Sequence, residues 1–306
     1  MALFRKAKNQ NYDLWSGCAW YVPGVGGMFT LLGLLLCGTV LGMVAMLALT
    51  PLGMEVMTEY GNLISYPLMF IPALIYARLK SKGNELFEKG YALDSSNFAP
   101  VGGIWMALLC ILGTVALAFD LDALTAVMPA MPDYLEEALK SMTQGKLWIN
   151  FLCVSIFAPL FEEWLCRGLV LRGLLNRKRP DGSSMKPSYA IMLSALFFAV
   201  IHLNIWQALP AFIIGCFMGY VYYKTGSLKL TMLIHFVNNT IALAAGQSEA
   251  LKDCETWMDV LPAALYWLLF AAFALLLVLV LRKISTISTA RPEGGSDEVS
   301  AESLSL

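Results

Sequence analysis

Charge is scarce in this sequence of 306 residues: 14% are Asp, Glu, Lys or Arg, against 58% hydrophobic residues. A soluble domain carries roughly a quarter charged residues, so this chain cannot clothe a water-facing surface. The net charge of −1 offers no hold to nucleic acid or any other polyanion, and no nucleic acid is expected among the partners. Paired cysteines are missing too. The seven, at positions 18, 37, 110, 153, 166, 216 and 254, form no CxxC pair and mostly fall in apolar runs. That excludes a disulfide framework or a zinc ribbon and leaves them as small apolar filler. There is no HExxH. A cleavable leader is not expected: polar and aromatic residues separate the basic start (Arg5, Lys6, Lys8) from the first long apolar run, which exceeds a signal-peptide core. That run, from Met28 onward, reads as a retained anchor.

Long hydrophobic runs are what the sequence has instead. A bilayer core of ~30 Å needs about 20 apolar residues in a helix. Runs with little or no charge lie at about 28–50, 61–77, 101–119, 147–175, 188–203, 206–223, 229–247 and 260–281. The expected fold is all-α: a polytopic transmembrane bundle of about eight spans, with a tight turn at His202–Gln207 between the fifth and sixth. Pro67, Pro72 and Pro262 are tolerable in bilayer helices whose neighbours satisfy the freed backbone. Residues 1–27 are expected at the cytoplasmic interface, 28–284 form the helical domain, and 285–306, rich in Ser, Glu and Gly, are expected to be a disordered cytoplasmic tail.

Basic residues give an independent reading of orientation. With the N-terminus in the cytoplasm and eight alternating spans, the inner segments hold 17 Lys and Arg and the outer loops 3 (Lys140, Lys146, Lys252), with Arg167 inside a span. Asp120, Asp122, Asp133, Glu136 and Glu137 collect on the outer side. Both termini are therefore expected in the cytoplasm. The expected location is multi-pass in the plasma membrane of a bacterium.

Ionisable side chains at bilayer depth cost at least ~2.5 kcal/mol each, so they point to function by default. Five fall there: Glu162, Glu163, Arg167, His202 and His235, the last two being the only histidines. Glu163 and Arg167 are four apart, share a helix face and can neutralise each other. Glu162 is turned about 100° away and meets no cation at Cys166, which suits a carboxylate that accepts a proton. Phe198 sits one turn before His202, and His235 shares a face with Asn239. At 1.5 Å per residue from the cytoplasmic ends, Glu162 and His202 lie about 20 Å deep, whereas His235 lies only about 9 Å deep. The plainer readings are charge neutralisation for the Glu–Arg pair and interhelical hydrogen bonding for a lone His or Asn. Gly215 and Gly219 read as a close-packing face.

The set E162-E163-x-x-x-R167, F198-x-x-x-H202 and H235-x-x-x-N239, in order on successive apolar segments, resembles the CAAX-protease and bacteriocin-processing family (CPBP, or Abi) of intramembrane peptidases. G215-x-x-x-G219 followed by T225-G226-S227-L228 is similar to that family as well. The resemblance covers about 147–245, one third of the chain. It implies an endopeptidase acting on a membrane-associated or leader-type peptide or protein among membrane lipids. Glu162 would activate a water, His202 would help position it, and His235 and Asn239 would stabilise the oxyanion. Glu163, Arg167 and Phe198 would support them. Cys166 stands where relatives often carry an aromatic residue.

Glu162, His202 and His235 could also hold zinc with one position open to water. The missing HExxH and the scatter over three segments favour a metal-free site, so no cofactor is expected. The alternative to an enzyme is a proton-coupled transporter or a peptidase-like scaffold, since buried Glu and His also build proton relays; no internal repeat supports a transporter.

Overall fold

Within a bilayer every backbone N–H and C=O needs a partner inside the protein, and a helix supplies one from its own chain. The apolar runs fold accordingly. The computed structural model describes residues 21–81, 103–142, 145–176, 185–248, 251, 254 and 256–287. Most of residues 1–27 and of the tail after 285 lie outside the described residues. Among the described residues there is no strand. The helices are α1 (Val25–Leu49), α2 (Met54–Ser81), α3 (Gly103–Thr125), α4 (Asp133–Met142), α5 (Leu147–Asn176), α6 (Pro187–Val200), α7 (Ile205–Thr225), α8 (Leu228–Gln247) and α9 (Ala263–Ser285).

Seven of these are long and apolar enough to cross a membrane. The chain is a multi-pass integral membrane protein built as a helical bundle. The eighth expected span, α6, has 14 residues and reaches only about 21 Å. It ends early because the chain turns at Ile201–Asn204, with Leu203 at φ 58°, and Asn204 caps α7 by accepting from the Gln207 N–H at 2.8 Å. The turn at His202 is thus present, one helix of the pair being shorter than a full span. Helix α4, which carries Asp133, Glu136 and Glu137, is short and polar.

Side-chain contacts sort the helix termini into two ends. At one end, Arg172 Nη2 donates to the Tyr21 carbonyl at 3.4 Å, the Tyr21 and Tyr76 rings meet edge to face, Lys80 lies over the Tyr76 ring, and Lys224 Nζ donates to the Ile287 carbonyl at 2.7 Å. At the other, Lys146 bridges Glu59 and Tyr60, both at 2.8 Å, Trp206 Nε1 donates to the Pro129 carbonyl, and Asp122 accepts from the Trp257 N–H. The bond to Glu59, with that to Tyr60 beside it, holds the Lys146 ammonium above the usual lysine range. Arg172 and Lys80 therefore meet around the Tyr21–Tyr76 ring pair, and Lys224 lies at the end of α9 that carries Arg282 and Lys283.

Helix α5 is the central element. Trp164, Leu165, Leu169, Val170 and Leu171 are fully buried, whereas α9 shows Trp267, Leu268 and Leu275 to the outside. Helix α8 packs along α5, α6 pairs with α7, and α3 with α9. Helices α1 and α2 form a hairpin packed mainly on itself, which reaches the rest through the α2–α5 contact. Its own seam is tight because Gly38 lies against the Met69 backbone and Gly42 against Ser65, where a Cβ would stand 3.1 Å from the Ser65 carbonyl oxygen.

Candidate active site

Helix α5 is not uniform. Phe151–Phe157 and Trp164–Leu171 are π-helical, and the α-helical stretch Ala158–Glu163 between them carries both glutamates. Such widened turns recur at functional sites. One cause is legible. The Ala158 N–H bonds to the Cys153 carbonyl, the π spacing, so the Val154 carbonyl would next take its proton from residue 159, a proline with no N–H. Asn239 Nδ2 on α8 fills the gap, donating to the Val154 carbonyl at 2.9 Å. A buried carbonyl without a donor would cost about 1–3 kcal/mol, so this bond ties α8 to α5 just before the glutamates.

The next turn holds the charges. Arg167, fully buried, donates from Nη1 to Glu163 Oε1 at 2.7 Å and from Nη2 to the Gly215 carbonyl at 3.0 Å. Its guanidinium lies 4.7 Å from the centre of the Phe198 ring, a cation–π geometry. Gly215 admits this approach: a Cβ there would stand 3.2 Å from both Ala195 and Phe198. Gly219 likewise packs on Ile191, so both glycines form the expected close-packing face. Ser194 Oγ donates to the Cys166 carbonyl at 2.7 Å, fixing α6 beside the second π stretch.

His235 joins this group. Its Nδ1 is 3.0 Å from Glu163 Oε1. An ionised carboxylate only accepts, so Nδ1 carries the proton, and Nε2 faces Glu162 Oε2 at 3.8 Å. That gap exceeds a direct hydrogen bond and fits a water bonded to both atoms. The shallow depth read for His235 does not separate it from the glutamates. His235 lies seven residues into α8 and Glu163 nine residues before Arg172, so each is about 10–14 Å from the basic end.

Glu162 differs from its sequence reading in one respect. It has no partner on its own helix, yet Tyr66 of α2 donates from Oη to Glu162 Oε1 at 2.6 Å. The Tyr66 ring packs on Phe70, which stacks on Phe161 at 5.0 Å. Sequence reasoning missed Tyr66; its hydroxyl in the otherwise charge-free run 61–77 is the signal that was there to find.

His202 enters through Phe198. Its ring meets the Phe198 ring edge to face at 5.1 Å, and His235 meets the same ring at 5.6 Å. His202 Nδ1 donates to the Phe198 carbonyl at 2.8 Å, leaving Nε2 as the outward nitrogen. Asn239 accepts at Oδ1 from Asn238 at 3.3 Å and spends one N–H on Val154, so a single N–H is left to offer. The structure brings together Glu162, Glu163, Arg167 and His235 by polar contacts, adds Phe198 and His202 through their rings, and sets Asn239 one turn along α8.

Glu162, His202 and His235, the set that could hold zinc, do not stand gathered as ligands around one point. Among the described residues no three His, Cys, Asp or Glu side chains converge as a metal set. One oxygen of Glu162 is engaged by Tyr66, and His235 Nε2 stands 3.8 Å from the other.

Residues 144–241 match the family model described as "Rce1-like: Type II CAAX prenyl endopeptidase Rce1-like". The matched segment contains every site residue named from the sequence. No curated protein and no solved structure matches the chain.

Proposed function

We propose, from the match of residues 144–241 to the Rce1-like type II CAAX prenyl endopeptidase family model, that this chain is an intramembrane endopeptidase that hydrolyses a peptide bond with a water activated by Glu162. The observation that carries the reading is the 3.8 Å gap between Glu162 Oε2 and His235 Nε2. Both atoms are aimed at one point, and each is held from behind, by Tyr66 and Glu163 respectively.

In this mechanism a water lies between Glu162 Oε2 and His235 Nε2. Glu162 takes its proton as the water oxygen attacks the scissile carbonyl carbon. The carbonyl π pair moves to oxygen, and the oxyanion is met by the remaining Asn239 N–H. Glu162 then passes its proton to the leaving amine as the C–N bond breaks, which returns the carboxylate and releases a new carboxyl terminus. Glu163 orients His235 as the carboxylate of a catalytic triad orients its imidazole, and Arg167 balances the charge of Glu163. His202 meets the same Phe198 ring as His235 and through it helps hold the His235 imidazole on the water. The residues themselves supply base, oxyanion donor and proton return, and no step needs a metal. The substrate is a membrane-associated or leader-type peptide presented at bilayer depth.

The test is cleavage by the full chain in proteoliposomes of a pool of lipid-anchored and unanchored peptides, with products read by mass spectrometry. Products should form with the wild type and vanish with Glu162→Gln and with His202→Ala. Full activity in either variant would sink the assignment.

A further inference from the structure

The family-matched segment begins at residue 144, yet the shortest polar contact to Glu162 comes from residue 66, 96 positions away and outside that segment. We propose that Tyr66 is a positioning residue of the catalytic centre, which makes the α1–α2 hairpin part of the enzyme rather than an added anchor. The inference rests on Glu162 acting as the base.

The argument is one of geometry. A carboxylate on a flexible two-carbon arm can present either oxygen, and rotation about its last bond exchanges them. Tyr66 Oη engages Oε1 at 2.6 Å, the short range typical of a donor to an ionised oxygen. Oε2 is thereby the oxygen turned to His235 and to the water between them. The phenol does not itself slide freely, because its ring lies against Phe70 and Phe70 is fully buried and stacked on Phe161 of the residue pair Phe161–Glu162. The same aromatic column thus sets the backbone before Glu162 and the donor to its side chain. Tyr66 reaches across the seam between hairpin and α5.

In the chemical step the phenol stays bonded to Oε1 while Oε2 gains and loses the proton, so Tyr66 touches neither water nor peptide. Its loss lets the carboxylate rotate and lowers the fraction of Glu162 poised to act, which reduces kcat and leaves substrate binding alone.

The experiment uses the full chain in proteoliposomes and the peptide most readily cleaved from the proteoliposome pool. Tyr66→Phe, which keeps the ring and the Phe70 contact, should lower kcat by about 10- to 100-fold, the weight of one hydrogen bond to a charged group. KM and the melting temperature should stay near wild type. 3-Fluorotyrosine at position 66, which keeps the hydroxyl, should restore kcat, and Tyr76→Phe, at the basic end of the hairpin, should leave it unchanged. Wild-type kcat in Tyr66→Phe, with cleavage still abolished by Glu162→Gln, would overturn the inference and leave the function standing. So would a lowered melting temperature with kcat unchanged among the folded molecules. A pool giving no Glu162-dependent product would overturn the function itself.

Discussion

Glu163 and His235, 72 positions apart on α5 and α8, are joined at 3.0 Å through the same carboxylate oxygen that binds Arg167. Glu163 is therefore a hinge between two groups that the sequence divides. It neutralises Arg167, as the spacing of four requires, and it also fixes which nitrogen of His235 carries the proton. The support pair and the reactive set are one network.

Removing the cation from that network exposes a buried carboxylate. Arg167→Met should cost about 3–5 kcal/mol of stability, the range for breaking one side of a buried pair. Arg167→Lys should recover less than half of this, because an ammonium cannot bond Glu163 and the Gly215 carbonyl in the fixed fork of a guanidinium. Thermal melting in detergent measures both variants.

The link between Asn239 and Val154 predicts a compensating pair. Asn239→Ala should destabilise by about 1–3 kcal/mol by orphaning the carbonyl. Pro159→Ala restores a backbone N–H at the missing position, so it should relieve part of that cost in the double variant. Additive losses in a double-mutant cycle would show that the proline is not the reason Asn239 is needed.

At the hairpin seam, Gly38 and Gly33 separate packing from exposure. A side chain on Gly38 would collide with the Met69 backbone, while Gly33 has nothing within 4 Å. Gly38→Leu should lower the melting temperature by several degrees, and Gly33→Leu should leave it within about a degree, as expected for a lipid-facing change.

Chelation provides a fourth check. The donors do not gather as a metal set, so cleavage should survive prolonged treatment with 1,10-phenanthroline or EDTA. Loss of activity that returns on adding back zinc would contradict the metal-free mechanism.

The parts of this site visible in the sequence are those a single helix repeats. Glu163–Arg167 and Phe198–His202 stand four apart, and both spacings become contacts. The apolar runs become helices for equally local reasons. Three features have no such period. Helix α6 is shorter than its run because of the turn at Leu203, and hydropathy does not record backbone angle. The first π stretch follows from a carbonyl that Pro159 cannot serve, together with a distant asparagine that can. Tyr66 meets Glu162 only because α2 packs on α5, a contact between residues 96 apart that no spacing rule connects.

The seam between hairpin and α5 also has a consequence in time. Chains emerge N-terminus first at about 5–20 residues per second, so Glu162 follows Tyr66 into the membrane by roughly 5–20 s. During that interval the hairpin already owns its close glycine seam and can fold as a unit. Its tyrosine hydroxyl meanwhile has no carboxylate to bind. The contact is thus made at docking, after insertion: the newly made protein passes through a stage in which the hairpin lies in the bilayer while the Tyr66–Glu162 bond is still unmade.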